Sequence, residues 1–229
     1  MKITGFIIIL LLYLISSVAI ADTVPVTPSN YTGSRSYAKI PGGLDATGTW
    51  KTKGINLSWS IMAPTIDNWW TYSYTIDPLR NAVSNTILEI NPTASTLSGY
   101  FNFSPGYDVE GPRVWEKGSP STPFMPADIY GIKFDFGGDP VTYTFKSTLA
   151  PAWGDLYSRD GSSNTAWTKG FGTDPTGSTT NFKNWVPTPQ IAHAVPEPSI
   201  VFLLGFGLTG VALFEAKKRR SGKKNSTPA

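Results

Sequence analysis

The chain has 229 residues with one histidine and no cysteine, which removes disulfides, thiol chemistry and any site needing several histidines. Its formal charge of +3 is unevenly placed, because Lys2 and six basic residues from Lys217 onward outweigh a middle of twelve basic and fourteen acidic side chains. Asp22 to Pro196 therefore carries no cationic run and gives no reason to expect nucleic-acid binding.

Lys2 leads into an apolar stretch, Ile3 to Ile15, and Ala19-Ile20-Ala21 follows in the small-x-small pattern of signal-peptide cleavage. Residues 1–21 are expected to be a signal peptide read by the Sec export machinery, with the mature chain starting at Asp22. Residues 22–41 are rich in Pro, Ser, Thr and Gly and read as a flexible lead-in.

Period-two alternation then sets in. Ile55, Leu57, Trp59 and Ile61 alternate with Asn56, Ser58 and Ser60, and Trp70, Tyr72, Tyr74 and Ile76 alternate with Thr71, Ser73 and Thr75. Each run fits a half-buried strand. The turn formers Pro64, Asp67 and Asn68 between them predict an antiparallel hairpin. Ile87 to Ile90 is a third, shorter strand. Asn91 to Ala127 contains six prolines and reads mainly as loop. Tyr130, Ile132, Phe134 and Phe136 alternate, Gly137 to Pro140 turns, and Val141, Tyr143 and Phe145 alternate again, which predicts a second hairpin. Trp153 to Tyr157 is a further candidate strand, Asp160 to Thr180 a polar loop region, and Phe182 to Ala194 a last strand and linker. No segment shows a helical period. Residues 42–190 are thus expected to form one all-β domain, an antiparallel β-sandwich or jelly-roll-like fold.

The end of the chain is organised differently. Residues 191–198 are a linker ending in Val195-Pro196-Glu197-Pro198. Ser199 to Phe214 is sixteen residues without a charge, and Lys217-Lys218-Arg219-Arg220 follow, with Lys223 and Lys224 behind. Sixteen helical residues reach about 24 Å, short against a hydrocarbon core of about 30 Å but workable with flanking residues. Residues 199–216 are read as a transmembrane helix and 217–229 as a basic tail held on the cytoplasmic side. This order resembles the PEP-CTERM sorting signal of Gram-negative bacteria. The resemblance implies processing by an exosortase-type enzyme, transient residence in the inner membrane, and delivery to the cell surface or the extracellular matrix. Glu197 and its flanking prolines would be the recognition element, and Lys217 to Arg220 the basic stop.

The middle of the chain also resembles a group of PEP-CTERM surface proteins, through Trp59, Trp70 to Tyr74, Asp128 to Phe134, and Trp153 to Tyr157 with Asp160-Gly161. That resemblance implies no activity.

Chemistry is expected to be sparse. His193 sits in the linker, three residues before the sorting motif, and argues against a catalytic triad. Asp128, Asp135, Asp139, Asp155 and Asp160 include enough carboxylates for acid–base work, but no spacing pairs them; the chain is read as not an enzyme and without a cofactor. Asp155 and Asp160 are weak candidates for calcium, since they place hard oxygen ligands on one expected loop. The eight tryptophans and ten tyrosines fit a core, while Trp69, beside the inward Trp70, is the candidate for stacking on a sugar ring. The expected role is structural or adhesive in exopolysaccharide or biofilm; the alternative is a lectin-like, calcium-assisted polysaccharide-binding module.

Overall fold

A computed structural model describes residues 23–37, 40–90, 100–177 and 179–190. The predicted signal peptide with Ala19 and Ala21, the sorting motif at Val195 to Pro198, the transmembrane helix, the basic stop and His193 all lie outside those residues. Among the described residues no helix is long and apolar enough to cross a membrane.

Besides a 3-10 turn at Pro28–Asn30, the described chain forms thirteen strands and one short α-helix: β1 (Thr32–Ser36), β2 (Leu44–Ala46), α1 (Gly48–Lys53), β3 (Ile55–Met62), β4 (Trp70–Pro78), β5 (Val83–Glu89), β6 (Tyr100–Phe101), β7 (Asp108–Trp115), β8 (Ile129–Gly138), β9 (Val141–Ser147), β10 (Pro151–Gly154), β11 (Leu156–Asp160), β12 (Asn164–Thr168) and β13 (Val186–Pro189). One sheet has the order β1-β3-β4-β9-β6, a second β2-β12-β11-β5-β8-β7, and β10 and β13 form a separate pair. All the strand pairings are antiparallel. The fold is an antiparallel β-sandwich, as the alternation predicts.

The predicted faces are the observed ones. Along β3, Ile55, Leu57, Trp59 and Ile61 are buried while Ser58 and Ser60 are exposed. Along β4, Tyr72, Tyr74 and Ile76 turn inward. The two strands pair from Ile55↔Pro78 to Met62↔Thr71, the hairpin expected between them. Inward aromatics of β4, β8 and β9 interleave: Tyr74 stacks on Tyr143 at 5.2 Å, and Phe134 meets Tyr143 at 4.5 Å and Phe145 at 5.6 Å. Phe134 belongs to the six-stranded sheet and the two rings it meets to the five-stranded one, so these contacts join the layers. Aromatic pairs at such separations add to the burial of large apolar area.

β5 is buried on both sides. Leu88 faces this main core, and Ile87 faces a second cluster with Trp115, Met125, Ile129, Tyr157 and Phe171 on the sheet's outer surface. Double burial explains why Ile87 and Leu88 are apolar in succession instead of alternating with polar residues.

Four expectations are corrected. Tyr130 to Phe136 and Val141 to Phe145 do not form a hairpin: β8 pairs with β5 and β7, and β9 with β4 and β6. Both strands carry large apolar faces, and those faces cover each other across the sandwich when the turn crosses between sheets. The lead-in is not a free tail. β1 pairs with β3 from Thr32↔Ser60 to Ser36↔Asn56, and Val26 is buried in the core. The proline-rich stretch contains β7, an eight-residue strand at the sheet's edge. The register shifts between Glu110 and Arg113 around Gly111-Pro112, so the missing proline N–H falls at a bulge. Finally, α1 is a helix of six residues anchored by fully buried Trp50, too short to show a period.

Candidate functional sites

Two constellations stand out in the sandwich. The first is a carboxyl pair, with Asp155 buried and Glu89 half-buried. Asp155 lies at the junction where the chain leaves β10 for β11, and it is only 5% exposed. Its Oδ1 accepts from the Thr168 hydroxyl at 2.7 Å and its Oδ2 from the Gly172 N–H at 2.7 Å. Glu89, at the end of β5, accepts the Asp155 N–H through Oε2 at 2.7 Å. Gly154 allows this approach, because a Cβ there would stand 2.7 Å from Glu89 Oε2, 2.5 Å from Thr188 Oγ1 and 2.4 Å from Gln190 Nε2. Burial, reinforced by the charge of Asp155, pushes the Glu89 carboxyl up to about 8. Burial likewise raises Asp155 to about 7, against the bonds from Thr168 and Gly172, and raises the neighbouring Asp174. The pair ties β5, β11, β12 and the Gly170–Asp174 turn together through hydrogen bonds.

Sequence reading singled out Asp155 but missed Glu89. A signal was present: Glu89 sits between Leu88 and Ile90, and Asp155 between Trp153-Gly154 and Leu156-Tyr157, each an acid inside an apolar run. The structure does not bring Asp155 and Asp160 together. They lie at opposite ends of β11, on the order of 16 Å apart at strand rise. Asp160 accepts instead from Ser84 Oγ at 3.0 Å and Asn164 Nδ2 at 3.4 Å. Among the described residues no group of three or more His, Cys, Asp or Glu is placed to hold a metal ion. Asp128 accepts the Lys117 N–H, Asp135 pairs with Lys133 at 2.8 Å, and Asp139 lies exposed at the β8–β9 turn.

Trp69 and Trp70 are both half-buried. Trp70 sets its edge against Tyr31 at 5.6 Å, and the Trp69 backbone N–H donates to Asp67 Oδ1 at 3.4 Å. The more open apolar residue of this hairpin loop is Ile66, at 96% exposure.

The second constellation is a cleft of about 280 Å³ lined by Asn30, Arg35, Trp153, Thr180, Asn181, Phe182 and Lys183. Arg35, on β1, is 8% exposed. Its guanidinium donates to three carbonyls: Nε to Trp185 at 3.0 Å, Nη1 to Ser34 at 2.8 Å and Nη2 to Phe182 at 2.8 Å. It also lies over the Trp59 ring at 4.7 Å and within 5.7 Å of the Trp153 ring. Trp153 stacks flat on Phe182 at 5.1 Å. Burial lowers the Arg35 pKa to about 10. The lining holds two cations and no carboxylate. Sequence reading found nothing here, since Arg35 falls in the expected lead-in and Lys183 in the segment read as a last strand and linker.

An all-β passenger with an acidic middle, followed by a proline–acid motif, an apolar run and a basic end, defines a class: an exported protein carrying its own C-terminal address. Residues 194–220 match the family model of the PEP-CTERM protein-sorting motif, so the chain carries that signal and is processed at the membrane by an exosortase-type enzyme on its way into the cell envelope. No curated protein and no solved structure matches the chain.

Proposed function

We propose that this chain is a non-enzymatic surface passenger. It is exported by the Sec route, held briefly in the inner membrane through residues 199–216, processed at or near Pro196-Glu197-Pro198, and left at the outer surface or in extracellular polysaccharide as a structural or adhesive component of a biofilm. The observation that carries this reading is the sorting motif at 194–220 joined to a closed β-sandwich. The absence of a catalytic role is supported by how the acids are used. Asp155 is occupied by a backbone N–H and a hydroxyl, Glu89 by a backbone N–H, and the cleft contains no carboxylate.

Deleting Lys217 to Ala229, or making Glu197→Ala, is expected to leave full-length precursor in the inner membrane, read by immunoblot of fractionated envelopes. The prolines hold an extended segment that presents one charge to the processing enzyme, and the basic stop fixes the orientation of the span. Normal maturation of both variants would contradict the reading. A carbohydrate-binding role is the second reading, and the cleft with its cations, amides and aromatic rings is the feature that favours it.

A further inference from the structure

We propose that the cleft between Arg35 and Thr180–Lys183 binds one acidic sugar unit, gripping its carboxylate with Arg35 and Lys183 and its hydroxyls with Asn30, Thr180 and Asn181. The inference supplies a ligand class for the surface role and takes its biological setting from that reading, but the cleft can be tested independently of the sorting tail.

Start with Arg35. A guanidinium taken out of water needs compensation, and the usual source is a carboxylate. Ion pairs among the described residues use Arg113, Lys133, Lys146 and Lys169, and none includes Arg35 or Lys183. Three neutral carbonyls take one N–H from each guanidinium nitrogen, so the second N–H on Nη1 and on Nη2 has no acceptor among the described residues. Those carbonyls and the two indole rings lock the group in place at the cleft wall before any ligand arrives. A planar, preorganised fork with donors left over matches a carboxylate.

Lys183 adds a second positive charge to the same lining, in a chain whose middle is net acidic. The remaining lining argues for a sugar over a bare anion. Asn181 uses Oδ1 to accept the Lys183 N–H at 3.0 Å, which leaves its Nδ2 donors for a ligand. Asn30 gives Nδ2 to Thr27 Oγ1 at 3.0 Å, which leaves its Oδ1 as an acceptor. Phe182, packed flat on Trp153, provides apolar surface for the C–H face of a ring. An inorganic anion would use the cations alone. The volume of about 280 Å³ falls just below the roughly 300–1,000 Å³ typical of small-molecule pockets, and it suits one sugar ring better than a folded partner.

The test is isothermal titration of the full chain, purified in detergent, with glucuronate, glucose and acetate as separate probes. Glucuronate is expected to bind at least about tenfold more tightly than either of the others, because glucose lacks the charge and acetate the hydroxyls. Lys183→Ala and Asn181→Ala should each weaken glucuronate binding by about fivefold to tenfold while leaving the melting temperature in place, since both positions are exposed. Arg35→Lys should weaken it further, and the two exposed variants keep the test valid if that protein does not fold. Added salt should weaken binding in the wild type. Acetate binding as tightly as glucuronate would make this a simple anion pocket and overturn the proposal. Equal affinity for glucose, no heat with glucuronate, or unchanged affinity in both exposed variants would also overturn it. None of these outcomes bears on processing of the tail, which is read separately through Glu197→Ala.

Discussion

Glu89 and Asp155 are the residues whose surroundings change their chemistry most usefully. In an unfolded chain they ionise near about 4.3 and 3.9; in the fold, burial holds Glu89 at about 8 and Asp155 at about 7. Between those limits the unfolded chain has lost protons that the folded chain still holds. Stability from the pair is therefore complete below about pH 4 and falls as pH rises to about 8. The window is clear of histidine, because His193 is the only one and lies in the linker. The melting temperature is expected to fall from pH 5.5 to pH 8.5, and Glu89→Gln to flatten that slope. A slope unchanged in Glu89→Gln would refute the assignment. Two tyrosines make a sharper comparison. Tyr74 donates its hydroxyl to the Pro187 carbonyl at 2.7 Å, whereas the buried Tyr143 hydroxyl has no hydrogen-bond partner among the described residues. Tyr74→Phe should cost about 1 kcal/mol and Tyr143→Phe should be neutral or stabilising, measured by urea unfolding. At Gly154 an added Cβ meets three polar side-chain atoms inside 3.0 Å, so Gly154→Ala is expected to destabilise by about 1–3 kcal/mol.

Among the elements, β8 and β9 show how alternation constrains a strand without naming its neighbour. Phe134, Tyr143 and Phe145 were all legible as inward-facing, and all are buried. Which strand lies beside which was not legible, because a face can be covered equally by extending a sheet or by crossing to an opposing one. Phe134 bridges the layers, so Phe134→Ala should cost about 3–5 kcal/mol by the same unfolding measurement. A loss near zero would mean that the two sheets do not pack through that ring. β1 and β7 escaped for another reason. Thr-Gly-Ser-Arg-Ser has no apolar alternation, and Gly111-Pro112 breaks that of β7. Both lie at a sheet edge, where one-sided pairing and a bulge tolerate such sequences and blunt the edge against further strands.

For the whole molecule, half of the eight tryptophans and ten tyrosines are spent in the core that their number suggests. Trp50, Trp59, Trp115, Trp153, Tyr72, Tyr74, Tyr100, Tyr143 and Tyr157 are buried, which gives a cysteine-free exported domain a core of large rings in place of disulfides. If both ends are address segments, the mature protein recovered from the envelope should start at Asp22 and lack the basic stop, as intact-mass measurement would show. A mature mass equal to the full chain would remove the passenger reading.

What the amino-acid order determined by itself was local. Charge placement and apolar run length marked the sorting tail, and period-two alternation marked the inward faces of β3, β4, β8 and β9, because both signals are complete within a few consecutive residues. The tertiary structure decided what depends on distant segments meeting. Glu89 reaches the Asp155 amide 66 positions away, and Arg35 reaches the Trp185 carbonyl 150 positions away. No local pattern encodes such meetings; they follow from two sheets closing over a shared apolar core, which carries along whatever polar groups lie at the ends of their strands.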